Sequence, residues 1–206
     1  MLQTRDPAVA GTFYPADPET LRQQVTEMLE KVPYQDAPPK AIIVPHAGYI
    51  YSGELAAQAY ASLKGVRDRI KRVVLLGPAH RVYFRGIAAP SADEFMTPLG
   101  GIPIDQNTID SMVEKFPFVQ RLPQPHRDEH CLEVQLPFLQ EVLDQFRLVP
   151  LVVGDTTPHQ VDKVVDYLWG DESTLIVISS DLSHYHDYAT AQSMDSQTAQ
   201  AIERLE

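Results

Sequence analysis

Four short runs in this chain are apolar almost from end to end: Ala41 to Val44, Arg72 to Leu76, Leu148 to Val153, and Leu175 to Ile178. A strand with one wet face alternates polar and apolar residues, so an unbroken run marks a strand covered on both sides, as in a parallel sheet under helices. The segments between the runs carry apolar residues at helical spacing. Strand and helix therefore alternate, which predicts an α/β fold with a layered, mostly parallel central sheet and flanking helices.

Asp17-Pro18 caps and opens a helix over about 18 to 32, with Leu21, Val25, Met28, Leu29 and Val32 on one face, and the Pro-rich stretch from Pro33 to Pro39 ends it. Ser52 to Lys64 is a second helix, facing inward through Leu55, Ala56, Ala59, Tyr60 and Leu63. With the strands on either side it makes a right-handed βαβ unit. Residues 81–104 hold short pieces such as Gly86 to Ala89 among several prolines and glycines and read as strands or irregular loop, with a hairpin as one option. Asp105 caps a helix with Ile109, Met112, Val113 and Phe116 inward. Another helix is expected from Glu129 to Phe146, kinked at Pro137. Thr157-Pro158 opens one that runs through Trp169. The last segment places Ala191, Met194, Ala201, Ile202 and Leu205 on one side and reaches Glu206 without a terminating Gly, Asn or Pro, so residues 1–206 read as a single domain truncated at its C-terminus.

At 206 residues the chain has room for one sizeable core. Its net charge of −11, with no stretch that concentrates Lys and Arg, argues against nucleic acid as a partner. No apolar run approaches the roughly 20 residues of a membrane-spanning helix. The single cysteine, Cys131, excludes an internal disulfide framework, and the N-terminus lacks a secretory layout, so a cytoplasmic location is expected.

Three of the four strands run into chemistry: Val44-Pro45-His46, Gly77-Pro78-Ala79-His80, and Ser179-Ser180-Asp181-Leu182-Ser183-His184. The carboxyl ends of parallel strands share one edge, where ligands of such sheets bind. Neutral imidazoles are common ligands for zinc, iron and copper, so His46 and His80 are candidate metal ligands. Asp181, three residues before His184, would orient that imidazole or raise its pKa, making His184 a candidate acid or base. The alternative is that Asp181 only caps a turn and His184 packs. His130 and Glu133 share a helical face at i, i+3, but no second such pair exists to build a carboxylate-bridged centre, so a role behind the ligands or in an ion pair is expected. Cys131 would point about 100 degrees away and reads as a small buried thiol. His126 and His159 read as structural or solvent-facing, and His186 as a surface residue. Gly-x-Ser-x-Gly, Walker A and Gly-x-Gly-x-x-Gly motifs are all absent.

Ala10-Gly11-Thr12-Phe13-Tyr14-Pro15, the stretch Pro45-His46-Ala47-Gly48-Tyr49-Ile50-Tyr51-Ser52-Gly53, Gly77-Pro78-Ala79-His80, the stretch from Asp128 to Phe138, and Ser179-Ser180-Asp181-Leu182-Ser183-His184-Tyr185 together resemble the Memo family, in family order along essentially the whole chain. That family is similar in fold to the class III extradiol dioxygenases, whose non-heme iron is held by two histidines and a carboxylate. The resemblance implies that His46 and His80 are metal ligands, that His184 is an acid-base histidine with Asp181 its neighbour, and that iron or copper is the cofactor. The family's third ligand, a cysteine near the C-terminus, would arrive after Glu206, and Cys131 lies in the wrong motif to replace it. Loss of that ligand implies weaker metal binding, and loss of the last strands implies an exposed core and sheet edge, with a need for a partner. Two functions follow from the resemblance: a metal-dependent oxidoreductase acting on a small molecule, or a binding module for phosphorylated or anionic peptides, with Phe13 and Tyr51 as the aromatic positions of the cleft. In a prokaryote, members of the AmmeMemoRadiSam type imply a radical-SAM pathway partner.

Overall fold

The computed structural model describes residues 2–33 and 38–204. In chain order its elements are β1 (Thr4–Arg5), α1 (Pro18–Glu30), β2 (Ala41–Val44), α2 (Tyr49–Ala61), β3 (Arg72–Pro78), β4 (Ile87–Ala89), β5 (Glu94–Thr97), β6 (Gly100–Pro103), α3 (Gln106–Lys115), β7 (Val119–Arg121), α4 (Pro123–Arg127), α5 (Leu136–Val142), β8 (Arg147–Val153), α6 (Pro158–Leu168), β9 (Thr174–Ser179) and α7 (Tyr188–Arg204). The main sheet has six strands among the described residues, in the order β2-β9-β3-β8-β4-β7. Every pairing in it is parallel except β4 with β8. This is the layered, mostly parallel α/β sheet that the four apolar runs predict.

The central strands β3, β8 and β9 are the fully covered ones: Val73, Val74, Leu75, Val149, Leu151, Leu175 and Val177 have no exposed surface. β2 lies at the edge and alternates instead, leaving Ile43 exposed and burying Ile42 and Val44. The four-residue run at 41–44 therefore overstated its coverage, because an edge strand buries only one face well. Helices α1, α2 and α5 pack on one another, and α2 lies on β2. The caps on α1, α3 and α6 are those the sequence predicts. Asp17 accepts from the Thr20 amide at 2.9 Å, Asp105 from the Thr108 amide at 3.2 Å, and Thr157 forms a capping box with Gln160.

Three features depart from the sequence reading, and the hairpin left open for residues 81–104 forms. Helix α2 starts at Tyr49, three residues before Ser52, because the Gly48 carbonyl already accepts from the Tyr51 and Ser52 amides. Residues 81–104 resolve into β4, which joins the main sheet, and the hairpin β5–β6, which pairs with β1 in a separate three-stranded sheet. The long helix expected from Glu129 to Phe146 does not form. Instead α4 ends at Arg127, a turn carries 128–132, a single 3-10 turn covers Glu133–Gln135, and α5 begins at Leu136. Pro137 occupies the first turn of α5, where its missing N–H costs nothing, so it opens a helix rather than kinking one. Finally, α7 has no buried residue, and Met194 and Ile202 are exposed. Leu205 and part of the Pro33–Pro39 stretch lie outside the described residues.

Candidate metal centre

His46 follows β2, His80 follows β3, and Asp181 follows β9, which lies between those two strands. Three adjacent parallel strands thus deliver the predicted residues to one edge. A fourth arrives from elsewhere: the turn after α4 brings in His130. Ring centroids are 5.0 Å apart for His46–His80, 4.6 Å for His80–His130 and 5.6 Å for His46–His130. One ring nitrogen from each of the three lies within 4.8 Å of the others. His130, which the i, i+3 spacing with Glu133 placed behind the ligands, therefore shares the cluster itself.

The hydrogen bonds fix which nitrogen of His46 and His80 is free. Ser179 Oγ donates its single proton to the Cys131 carbonyl at 2.6 Å, so towards His46 Nδ1, 3.0 Å away, it can only accept. His46 is thereby protonated on Nδ1, and its Nε2 keeps a bare lone pair. Gln135 steadies this serine, donating to its Oγ at 3.0 Å while accepting from the Tyr60 hydroxyl. On the other side, His80 donates twice to Glu129, from its backbone amide at 2.7 Å and from Nδ1 at 2.8 Å. The same carboxylate accepts from the His130 and Cys131 amides. Burial alone would raise the pKa of Glu129, but these donors outweigh it and hold the group below the usual carboxylate range. An ionised carboxylate only accepts, so the free lone pair of His80 is also on Nε2.

Two buried ring nitrogens in the cluster make no hydrogen bond: His46 Nε2, 3.6 Å from Asp181 Oδ2, and His130 Nδ1, 3.3 Å from Glu129 Oε1. Burial lowers the pKa of His46 to about 4 and also lowers that of His130, so both rings are neutral near pH 7. Neutral imidazoles with lone pairs facing a common point are the donor set of a transition-metal site, and a hydrogen-bond acceptor behind the ring, Ser179 for His46 and Glu129 for His80, is the usual support for such ligands. The residues present fit a metal ion. A second grouping, His80, Glu129 and Cys131, is also close enough to hold one. Its chemistry fits poorly, since Glu129 is committed to N–H donors and the Cys131 thiol, whose pKa burial pushes well up, donates to the Pro78 carbonyl at 3.1 Å.

Asp181 Oδ1 accepts from the His46 amide at 2.5 Å, while its Oδ2 is 3.6 Å from His46 Nε2 and 3.8 Å from His184 Nε2. The carboxylate thus sits between the cluster and a half-exposed imidazole. Leu182 and Tyr185, flanking His184, both adopt positive φ, a conformation costly for non-glycine residues and common near working sites. The Phe13 ring lies 4.9 Å from that of His130, whereas Tyr51 is exposed on the first turn of α2. Glu133 is not beside His130. It turns away to receive Arg5, the Tyr14 hydroxyl and the amides of Ala8 and Val9. Buried His126 donates from Nε2 to the Ala88 carbonyl, and His159 is exposed.

A family profile described as Memo-like protein matches residues 5–206. The chain belongs to the Memo family. A MEMO1 family protein of Aquifex aeolicus is 40% identical over 209 residues, covering 99% of this chain and 76% of the relative. MEMO1 family proteins of Sulfolobus acidocaldarius and Saccharolobus solfataricus are 33% and 32% identical, each covering 98% of this chain and 77% of the relative. Within this Memo-family chain, sequence reasoning placed His46 and His80 at the edge but missed Glu129 and Ser179. Both sit inside quoted motifs, yet only the folded contacts show that each restrains a histidine ring. Among the described residues, no helix is long and apolar enough to cross a membrane.

Proposed function

We propose that this chain binds one iron or copper ion through His46, His80 and His130 and acts as a metal-dependent oxidoreductase on a small molecule. The observation that carries the reading is the buried His46 Nε2, which makes no hydrogen bond, in a cluster where His80 turns a lone pair free and the His130 ring lies 4.6 Å from that of His80. Leaving a buried polar atom unsatisfied costs free energy, and a cation that imidazole favours removes that cost. Either ion, when bound, supplies one-electron chemistry. Around it, Glu129 and Ser179 hold the ring tautomers, while Asp181 and His184 bind and move a proton between the cluster and solvent. The half-exposed ring of His184 suits that exchange, since it meets Asp181 on one side and water on the other.

The test is elemental analysis of protein purified without oxygen, followed by oxygen consumption with a catechol as reductant. Wild type should retain close to one iron or copper per chain, the His46→Ala/His80→Ala variant none, and His130→Ala markedly less. His184→Ala should retain metal and lose turnover. Equal retention by His130→Ala would remove that residue from the ligand set. A wild type that holds only zinc, or no metal, would sink the redox reading.

A further inference from the structure

Of the three histidines in the cluster, His80 is the most exposed. The His46 and His130 side chains are 2% and 13% exposed, but that of His80 is 31% exposed. His80 also forms part of the wall of a cavity of about 550 Å³, bounded by residues 78–84 and 153–155. Val82, Phe84 and Val153 make much of this wall apolar. Three charged residues line it or sit beside it. Asp155 is occupied, accepting from the Tyr83 hydroxyl at 2.9 Å and lying 4.0 Å from Arg85, which it also engages. Arg81 is not occupied.

The contrast with the other arginines is sharp. Eight of them pair with a carboxylate. Arg147 donates to the Ile104 carbonyl, and Arg204 is not free either. Among the described residues, Arg81 makes no hydrogen bond or ion pair, in a chain of net charge −11 with many carboxylates available. Its charge is felt at the cluster, where it helps to lower the pKa of His130. A planar guanidinium left free in the lining of this partly apolar cavity can receive a carboxylate through two parallel N–H donors.

We propose that this cavity is the substrate subsite of the metal centre and takes a small monocarboxylate, with the carboxylate on Arg81 and an apolar body against Val82 and Phe84. A single guanidinium matches one negative charge, and Asp155 in the same wall disfavours a dianion, so a phosphate group is the poorer fit. The reacting end of the molecule is assigned to the cluster on the strength of the proposed metal site. The carboxylate contact itself requires no metal.

The experiment measures binding of benzoate, benzyl alcohol and inorganic phosphate to the full chain by calorimetry, metal-free and zinc-loaded, in wild type and Arg81→Gln. Wild type should bind benzoate more tightly than either alternative. Arg81→Gln should lose about tenfold or more on benzoate, the loss expected for one charge-assisted pair, with benzyl alcohol, metal retention and melting temperature unchanged. Benzoate bound equally by Arg81→Gln, benzoate not bound at all, or phosphate preferred by wild type would each overturn the proposal. Benzoate binding that depends on Arg81 in a protein that holds no metal would support the subsite and defeat the metal reading. Metal retention without benzoate binding would do the reverse.

Discussion

Glu133 is the substitution with the most to lose and no direct contact with the proposed metal. Its side chain has no exposed surface, and it pairs with Arg5, whose own side chain is 6% exposed. The two carboxylate oxygens also accept from the amides of Ala8 at 2.8 Å and Val9 at 3.0 Å and from the Tyr14 hydroxyl at 2.5 Å. Burial, followed by the charge of Glu133, raises the Tyr14 pKa, so that hydroxyl remains a donor. In Glu133→Gln one oxygen becomes an NH2 that faces two donors, and Arg5 keeps only the carbonyls of His126 and Glu129. Breaking a buried pair in this way costs about 3–5 kcal/mol. For a chain of this size the melting temperature should fall by roughly 6–20 °C. Urea unfolding of metal-free protein measures the loss directly. The double variant Arg5→Met/Glu133→Gln should be more stable than the sum of the singles by about 2 kcal/mol, since the uncompensated charge is gone. A loss under about 1 kcal/mol in Glu133→Gln, or additive singles, would refute the account.

Glu129→Gln should leave a folded protein whose metal affinity is lower by about 10–100-fold, because the anion that fixes His80 is replaced by a neutral group. Competition with a chromophoric chelator measures it, and unchanged affinity would remove Glu129 from the support of the site. Burial lowers the His126 pKa from the ordinary histidine value of 6.5 to about 4. The unfolded chain therefore takes up a proton that the folded chain refuses between those values. Stability contributed by this group is present above pH 6.5 and is lost as pH falls towards 4, by roughly 3 kcal/mol in all. His126→Gln, which keeps a donor for the Ala88 carbonyl, should flatten the pH dependence of the urea midpoint in metal-free protein, and an unchanged slope would contradict the assignment.

How much of this was legible in the sequence depends on what carried the signal. The central strands were legible because burial on both faces writes itself as an unbroken apolar run. His46 and His80 followed because parallel strands end together. Residues 129–146 were misread because their apolar residues keep helical spacing even though the chain does not. In a continuous helix Glu129 and Glu133, at i and i+4, would share one face and repel each other. Here the turn at 128–132 and the 3-10 turn after it separate them. Glu129 goes to His80 and the amides of His130 and Cys131, and Glu133 goes to Arg5 and the segment that holds Phe13 against His130. No helical propensity encodes that split, since the partners lie 49 and 128 residues away in sequence. Breaking the helix is what lets two acidic residues of one short segment serve two sides of the centre, and it is also what carries His130 into the cluster. A substitution that restored regular helix through 129–135 would therefore have to abandon either the His80 contact or the Arg5 contact, and with it one wall of the site.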